Sequence, residues 1–214
     1  MPPGEIDGKL YEPMSRHTSF RIGGPAEALV RPRDAEELGR LYTALKTQDI
    51  PCFLLGGGAN ILVADRGIRG AVLDLGSLRG LELLPSPGQG TLLEAWAGTP
   101  MSEASEFAAA GGGSGLEFIY SMPGSVGGAV WMNARCYGHS VCEVLRRVQY
   151  LRPDGRVEWL EVEAAAGGES PEGPWGYKRS PFQSRPWVIL KAVFALAPGD
   201  PQAMQGEMRR VRED

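Results

Sequence analysis

The sequence predicts an α+β chain built of two small subdomains. Three observations lead there: one strongly amphipathic helix, several short apolar runs of strand length, and glycines gathered in clusters between those runs. The 214 residues suit one large or two small domains. A hydrophobic content of 43% with 22% charged residues is that of an ordinary soluble protein. A net charge of −4 argues against a general nucleic-acid or anionic-membrane surface. No apolar run approaches the roughly 20 residues of a membrane span. The opening MPPGEIDGKLYEP has no apolar stretch of the secretory kind, so a cytoplasmic location is expected. Cys52, Cys136 and Cys142 lack metal-ligand spacing and read as free thiols.

The first helix runs from Asp34 to about Lys46. Asp34 is placed to cap it, and Glu37 completes a capping box. Leu38, Leu41, Tyr42 and Leu45 form one apolar face. Strands are expected at Cys52–Leu55, Ile61–Val63 and Ala71–Leu75, with Gly56-Gly57-Gly58 ending the first. A division near residues 76–90 separates residues 1–78 from 79–198. In the second part Leu92–Ala97 reads as a strand. Thr99 and Pro100 then open a helix that Gly111 closes. Val144–Leu151 and Arg156–Val162 form a hairpin across Arg152-Pro153-Asp154-Gly155. Ala164–Pro174 is a loop, and Trp187–Leu196 is a long strand. A helix starts at Pro201 with an apolar stripe of Met204, Met208 and Val211. Such a stripe needs something to pack on, so residues 199–214 are expected to begin a further domain that the chain cuts short.

Two segments are built for ligand contact. In Gly56-Gly57-Gly58-Ala59-Asn60-Ile61-Leu62 the glycines let backbone N–H groups approach a phosphate, and Asn60 adds an amide donor. The segment has neither the Lys-Ser/Thr of a P-loop nor a G-x-G-x-x-G before a helix. In Ser121-Met122-Pro123-Gly124-Ser125-Val126-Gly127-Gly128-Ala129, running on to Met132-Asn133-Ala134, small residues admit a flat or diphosphate ligand. Each segment taken alone also reads as a tight turn or a glycine-rich packing loop.

Together, the ordered pair resembles the UDP-N-acetylenolpyruvoylglucosamine reductases. His17-Thr18-Ser19-Phe20-Arg21-Ile22-Gly23-Gly24, Ser114-Gly115-Leu116-Glu117 and Gly176-Tyr177-Lys178-Arg179-Ser180-Pro181-Phe182 extend the resemblance to about residues 15–212. The resemblance implies the FAD-binding fold of the vanillyl-alcohol oxidase type, with FAD held non-covalently between two α+β subdomains. Residues 56–62 would cradle the pyrophosphate. Ser121, Met122, Pro123, Gly124, Ser125, Gly128, Ala129, Met132, Asn133 and Ala134 would line the flavin. It also implies NADPH as hydride donor and a UDP-sugar enolpyruvyl ether as substrate, contacted by Tyr177 and Ser180. The family's substrate domain would follow residue 198, in the subgroup that lacks a tyrosine-bearing insertion.

The chain departs from the family pattern in places. Lys178 stands at the family's arginine position, with Arg179 next to it. If the segment is a strand, only one of the two faces the substrate, and the register favours Lys178. The family's proton-donating serine and late glutamate have no match. Arg135 replaces a small residue beside the flavin-facing segment. His17 and His139 lack ligand spacing, so no metal is expected. The absence of a His or Cys in residues 56–62 argues against a covalent flavin. A different flavin oxidase of the same fold and a non-catalytic FAD- or nucleotide-binding module are the alternatives.

Overall fold

A computed structural model of the protein describes residues 6–86, 88, 90–162 and 174–213. The N-terminal half builds a four-stranded sheet from β1 (Gly8–Pro13), β2 (Pro25–Val30), β3 (Cys52–Leu55) and β4 (Ile68–Asp74), in the order β1-β2-β4-β3. β1 pairs antiparallel with β2, whereas β4 lies parallel to both β2 and β3. The parallel step from β2 to the β3–β4 pair needs a crossover. Helix α1 (Ala35–Thr47) supplies it.

α1 begins as its sequence predicts, with the Asp34 carboxylate accepting from the Glu37 N–H at 2.8 Å. The Glu37 side chain turns instead to the N–H and guanidinium of Arg33. Leu38 and Tyr42 are buried against Leu73, Leu75 and Leu78 of the first half and Leu151, Val188 and Leu190 of the second. One helix face thus joins the two halves. The opposite face of the first sheet covers Met14, Ala26, Leu29, Leu55, Val63 and Val72.

The second sheet contains β5 (Leu81–Leu84), β6 (Thr91–Trp96) and β7 (Gly113–Ser114). After a small ribbon of β8 (Arg135–Cys136) and β9 (His139–Ser140) come β10 (Leu145–Leu151), β11 (Val157–Glu161) and β12 (Val188–Pro198). The order is β11-β10-β12-β6-β5, antiparallel throughout, with β7 on the end of β12. Helices α2 (Met101–Ala110) and α3 (Val126–Met132) cover it. Leu93, Phe194, Met101, Ala104, Val126 and Val130 meet in its core. The 152–155 turn forms as expected, with Gly155 at φ +84 and its N–H donating to the Arg152 carbonyl.

Several expectations need correction. Ile61–Val63 is irregular. Thr99 does not cap α2: its hydroxyl bonds the N–H and carbonyl of Gly80, and Pro100 takes the cap position. The stretch between the two expected parts also holds β5, a four-residue strand that the sequence reading did not assign. The glycine-rich stretch after residue 121 contains α3. The loop expected over Ala164–Pro174 lies outside the described residues, apart from Pro174. Helix α4 (Pro201–Glu213) forms, and its stripe has a partner within the chain: Met204 and Met208 are buried with Ala109 against Tyr120. Among the described residues no helix is long and apolar enough to cross a membrane, and no group of side chains could hold a metal ion. The three cysteines are free.

Candidate functional site

A cleft of about 690 Å³ opens between the two sheets. β3 delivers the chain to its wall and stops at Leu55. The loop that follows is shaped by two close approaches. A Cβ on Gly58 would lie 2.0 Å from the His17 carbonyl oxygen, and Gly58 sits at φ +65, so only glycine fits. A Cβ on Gly57 would lie 2.8 Å from the Gly124 Cα, so the two glycine-rich segments touch here. Among the described residues no protein acceptor takes the N–H groups of Gly57, Gly58, Ala59 or Asn60. These four residues line the cleft, and backbone donors without an internal acceptor suit a phosphate.

The facing wall is α3. Ser125 caps it, its hydroxyl accepting from the Gly128 N–H at 3.4 Å. The Val126 N–H donates to the Thr99 carbonyl and the Gly127 N–H to the Ala97 carbonyl, both at 2.8 Å. A Cβ on Gly127 would approach the Ala97 Cβ to 2.9 Å. Gly127 lets the helix lie against Ala97 at the end of β6, and the N–H groups of Val126, Gly127 and Gly128 are already used.

The cleft gathers Gly56, Gly57, Gly58, Ala59, Asn60 and Ile61 from the first segment, and Met122, Pro123, Gly124, Ser125, Gly128, Ala129, Met132 and Ala134 from the second. Three expected contacts do not line it. Leu62 projects outward, 74% exposed. The Ser121 hydroxyl donates to the Val211 carbonyl of α4 at 2.9 Å. Asn133 is fully buried at φ +42, donating from Nδ2 to the Gly176 carbonyl at 2.9 Å and accepting on Oδ1 from the Cys142 N–H at 3.0 Å. It fastens the end of α3 to the 176–179 turn.

That turn corrects a second expectation. Gly176 and Arg179 exchange backbone hydrogen bonds, so Tyr177 and Lys178 occupy the tip of a turn in place of a strand, with Lys178 at φ +52. Tyr177 and Lys178 line the cleft. Arg179 does not, and its guanidinium lies over Gly176. Ser180 is buried and donates to the Trp131 carbonyl at 2.7 Å. Gln183 donates to the same carbonyl and to that of Lys178, bracing the turn.

The charge of the cleft is one-sided. Lys46, Arg135, Lys178 and Arg185 line it, and among the described residues no Asp or Glu does. In a chain of net charge −4 this concentrates positive potential where the walls are apolar. Lys46 stands 5.4 Å from the Tyr42 ring centroid, and Arg185 4.3 Å from that of Trp187, which itself stacks on Tyr150. Burial pushes the Tyr42 hydroxyl up to about 12 and the Cys52 thiol up to about 11, so both are neutral at ordinary pH. Sequence reasoning missed Lys46 and Arg185. The first reads as a helix-end lysine and the second as a loop arginine, and only the closing of α1 and the start of β12 around one space unites them.

The residues present fit FAD: an apolar slot, a loop of open N–H donors, and cations without competing carboxylates among the described residues. Residues 26–161 match the family described as FAD binding domain. The chain belongs to that family. It is similar to the UDP-N-acetylenolpyruvoylglucosamine reductase of Treponema denticola, 38% identical over 201 residues, which span 89% of this chain and 60% of the relative. Its counterpart from Rubrobacter xylanophilus is 40% identical over 206 residues, 95% of this chain and 65% of the relative. The chain therefore spans less than two thirds of the length of these relatives. The crystal structure of the Thermus caldophilus UDP-N-acetylenolpyruvylglucosamine reductase superposes with a TM-score of 0.73 at 26% identity, covering 98% of this chain and 68% of that one. A VAO-type flavoprotein from Myceliophthora thermophila shares the fold, with a TM-score of 0.60 at 15% identity over 80% of this chain and 32% of that one. The fold expected from the sequence and the resemblance to the reductases are both borne out.

Proposed function

We propose that these residues form the FAD-binding portion of a cytoplasmic, NADPH-using reductase that converts UDP-N-acetylglucosamine enolpyruvate to UDP-N-acetylmuramate in peptidoglycan synthesis. The observation that carries this reading is the pairing of the open donors at 57–60 with four cations and, among the described residues, no carboxylate around one apolar cleft. A dianionic diphosphate with two flat ring systems matches that chemistry. The relatives named above supply the substrate class.

FAD bound in the cleft would accept a hydride from one ligand and deliver it to another. The chain's own residues would bind and orient. Residues 57–60 would donate to the diphosphate. Met122, Pro123, Ala129 and Met132 would hold the flavin in an apolar, water-poor setting. Lys178 would place a positive charge where negative charge develops on the substrate. Tyr177 would flank the substrate. In this reading residues 1–78 and 79–198 are the two FAD-binding halves, and 199–214 lead toward the substrate-binding part.

Two measurements test it. The purified chain should release free flavin on acid treatment. A colourless protein that also fails to take up added FAD would defeat the assignment. In a chain of the relatives' full length, substrate-dependent NADPH oxidation should fall about 10²–10³-fold in Lys178→Ala. Arg179→Ala should act mainly on stability, because Arg179 packs on the turn away from the cleft. A larger turnover loss at Arg179 would transfer the role to it.

A further inference from the structure

One wall of the cleft leads away from it through stacked rings. Trp187, immediately before β12, lines the same space as Met122, Ala129 and Met132. Its ring lies on that of Tyr150, with centroids 4.1 Å apart and planes 22° from parallel. Tyr150 is 5% exposed, and the buried Phe182 stands edge-on to both rings at 6.1 Å. The Tyr150 hydroxyl donates at 2.8 Å to Oε2 of Glu158, its direct partner across the β10–β11 pair. Glu158 is half-buried, and its carboxylate lies 3.4 Å from Arg152 Nη1. A ring in the cleft, a buried ring behind it and a carboxylate beyond that thus stand in one unbroken row.

The charges along this row differ. The Arg185 guanidinium stands 4.3 Å from the Trp187 centroid. It is attracted to the neutral ring and opposes any positive charge left there when an electron is lost. Tyr150 meets the reverse. Burial, helped by the bond to Glu158, pushes its hydroxyl up, so it is a neutral phenol with a proton to lose. The same hydrogen bond, with Arg152 beside it, holds the Glu158 carboxyl below the usual carboxylate range, so it is ionised and within reach of that proton. An electron vacancy that enters at Trp187 therefore moves on to Tyr150.

This inference rests on the FAD reading above. We propose that Trp187 and Tyr150 form a one-electron donor pair for the flavin held in the cleft, with Glu158 as proton acceptor. The oxidant is the oxidised flavin excited by visible light. Trp187 gives it one electron, Tyr150 refills Trp187, and the phenol proton passes to Glu158 Oε2. The net change is one electron gained by the flavin and one lost by Tyr150, whose proton stays on Glu158. Return of the electron from the flavin to Tyr150, and of the proton from Glu158, restores the starting state. The pair thus empties the excited state without a permanent change in the protein.

The test uses the flavin-loaded chain, its occupancy read from the visible absorbance. Parent, Trp187→Phe, Tyr150→Phe and Glu158→Gln are compared by flavin fluorescence decay and by transient absorption after a blue pulse. The parent should decay in a fast phase and leave a tyrosyl radical signal. Trp187→Phe should lengthen the decay severalfold and remove that signal. Tyr150→Phe keeps the ring and its stack, so it should keep the fast decay and show a tryptophan radical in place of the tyrosyl one. Glu158→Gln keeps an acceptor for the hydrogen bond but cannot take the proton, so the tyrosyl yield should drop severalfold. Equal decays in the parent and Trp187→Phe, or a tyrosyl signal that survives in Tyr150→Phe, would overturn the pair and leave the FAD reading standing. A flavin-loaded parent that forms no radical would do the same. If Trp187→Phe does not fold or hold flavin, the Tyr150→Phe result decides by itself. A chain that takes up no flavin would overturn the pair together with the reading it rests on.

Discussion

The two glycine-rich segments look alike in sequence and do opposite work. In residues 57–60 the backbone donors are left open and the glycines exist because the loop is pressed against other backbone, at His17 and at Gly124. In residues 126–128 the donors are consumed by Thr99, Ala97 and Ser125, and Gly127 lets the helix lie against Ala97 at the end of a strand. A glycine cluster is thus a phosphate cradle only where its N–H groups lack an internal acceptor. Elsewhere it is a packing device. The difference also shows what Gly57 does: its φ is not positive, so a side chain there would drive the two segments apart. A Gly57→Val variant would act through that separation as well as on the phosphates.

The largest effect should come from testing the two kinds of glycine against each other. Gly58→Ala places a methyl group 2.0 Å from a carbonyl oxygen at φ +65, and neither the loop nor the His17 segment can give way cheaply. It should cost at least ~3 kcal/mol of stability and abolish flavin uptake. Gly128→Ala meets only the Ser125 hydroxyl at 3.5 Å, an ordinary contact, and should cost under ~1 kcal/mol with flavin retained. Chemical denaturation and flavin absorbance measure both. Equal losses in the two variants would erase the distinction drawn here.

Asn133 sharpens the comparison from the packing side. It stands in the motif expected to touch the flavin, yet its amide is spent on Gly176 and Cys142 while its backbone closes α3 in the left-handed region. Asn133→Ala would take one of two donors from the Gly176 carbonyl, which keeps the Arg179 N–H, remove the side-chain acceptor of the buried Cys142 N–H, and put alanine at φ +42. A loss of about 2–4 kcal/mol is expected. Asn133→Asp should keep the bond from the Cys142 N–H and lose the one to Gly176, loosening the turn that holds Lys178. An Asn133→Ala protein as stable as the parent but with weakened flavin binding would return Asn133 to the cofactor.

Much of this was legible in the sequence, and the rest was hidden for definite reasons. α1, β3, the 152–155 hairpin and the long β12 announced themselves through capping, periodicity and turn chemistry, all local signals. β1 did not, because four of its six residues, Gly8 to Tyr11, are exposed in succession and carry no alternation. α3 was masked by its own glycines, which score against a helix until the contact with Ala97 is known. At the site, the two glycine segments singled out by motif order line one cleft. Lys46, Arg185 and the burial of Asn133 and Ser180 depend on which segments meet in space, and spacing alone does not carry that. The strand considered at 176–179 is not formed, because a pair of backbone hydrogen bonds closes a turn there, which puts Tyr177 and Lys178 together at the cleft.

Ser121 gives the smallest and most discriminating effect. Its segment position suggests a hydroxyl for the flavin, but the hydroxyl donates to the Val211 carbonyl in the last turn of α4, where backbone carbonyls have no helical partner. The Tyr137 hydroxyl approaches the same carbonyl at 3.4 Å, so that acceptor keeps a second donor when the first is removed. Ser121 is itself exposed, and water can replace part of the lost bond. Ser121→Ala should therefore cost about 0.5–1 kcal/mol. The loss should concentrate in α4, visible as faster amide hydrogen exchange over residues 204–211, with flavin affinity changed less than twofold. If Ser121 touches the cofactor as its place in the motif suggests, the pattern inverts: exchange in α4 stays as in the parent while flavin affinity drops severalfold. The two outcomes cannot be produced by the same hydroxyl geometry, so this one substitution decides whether Ser121 belongs with the open donors of 57–60 or with the consumed donors of α3.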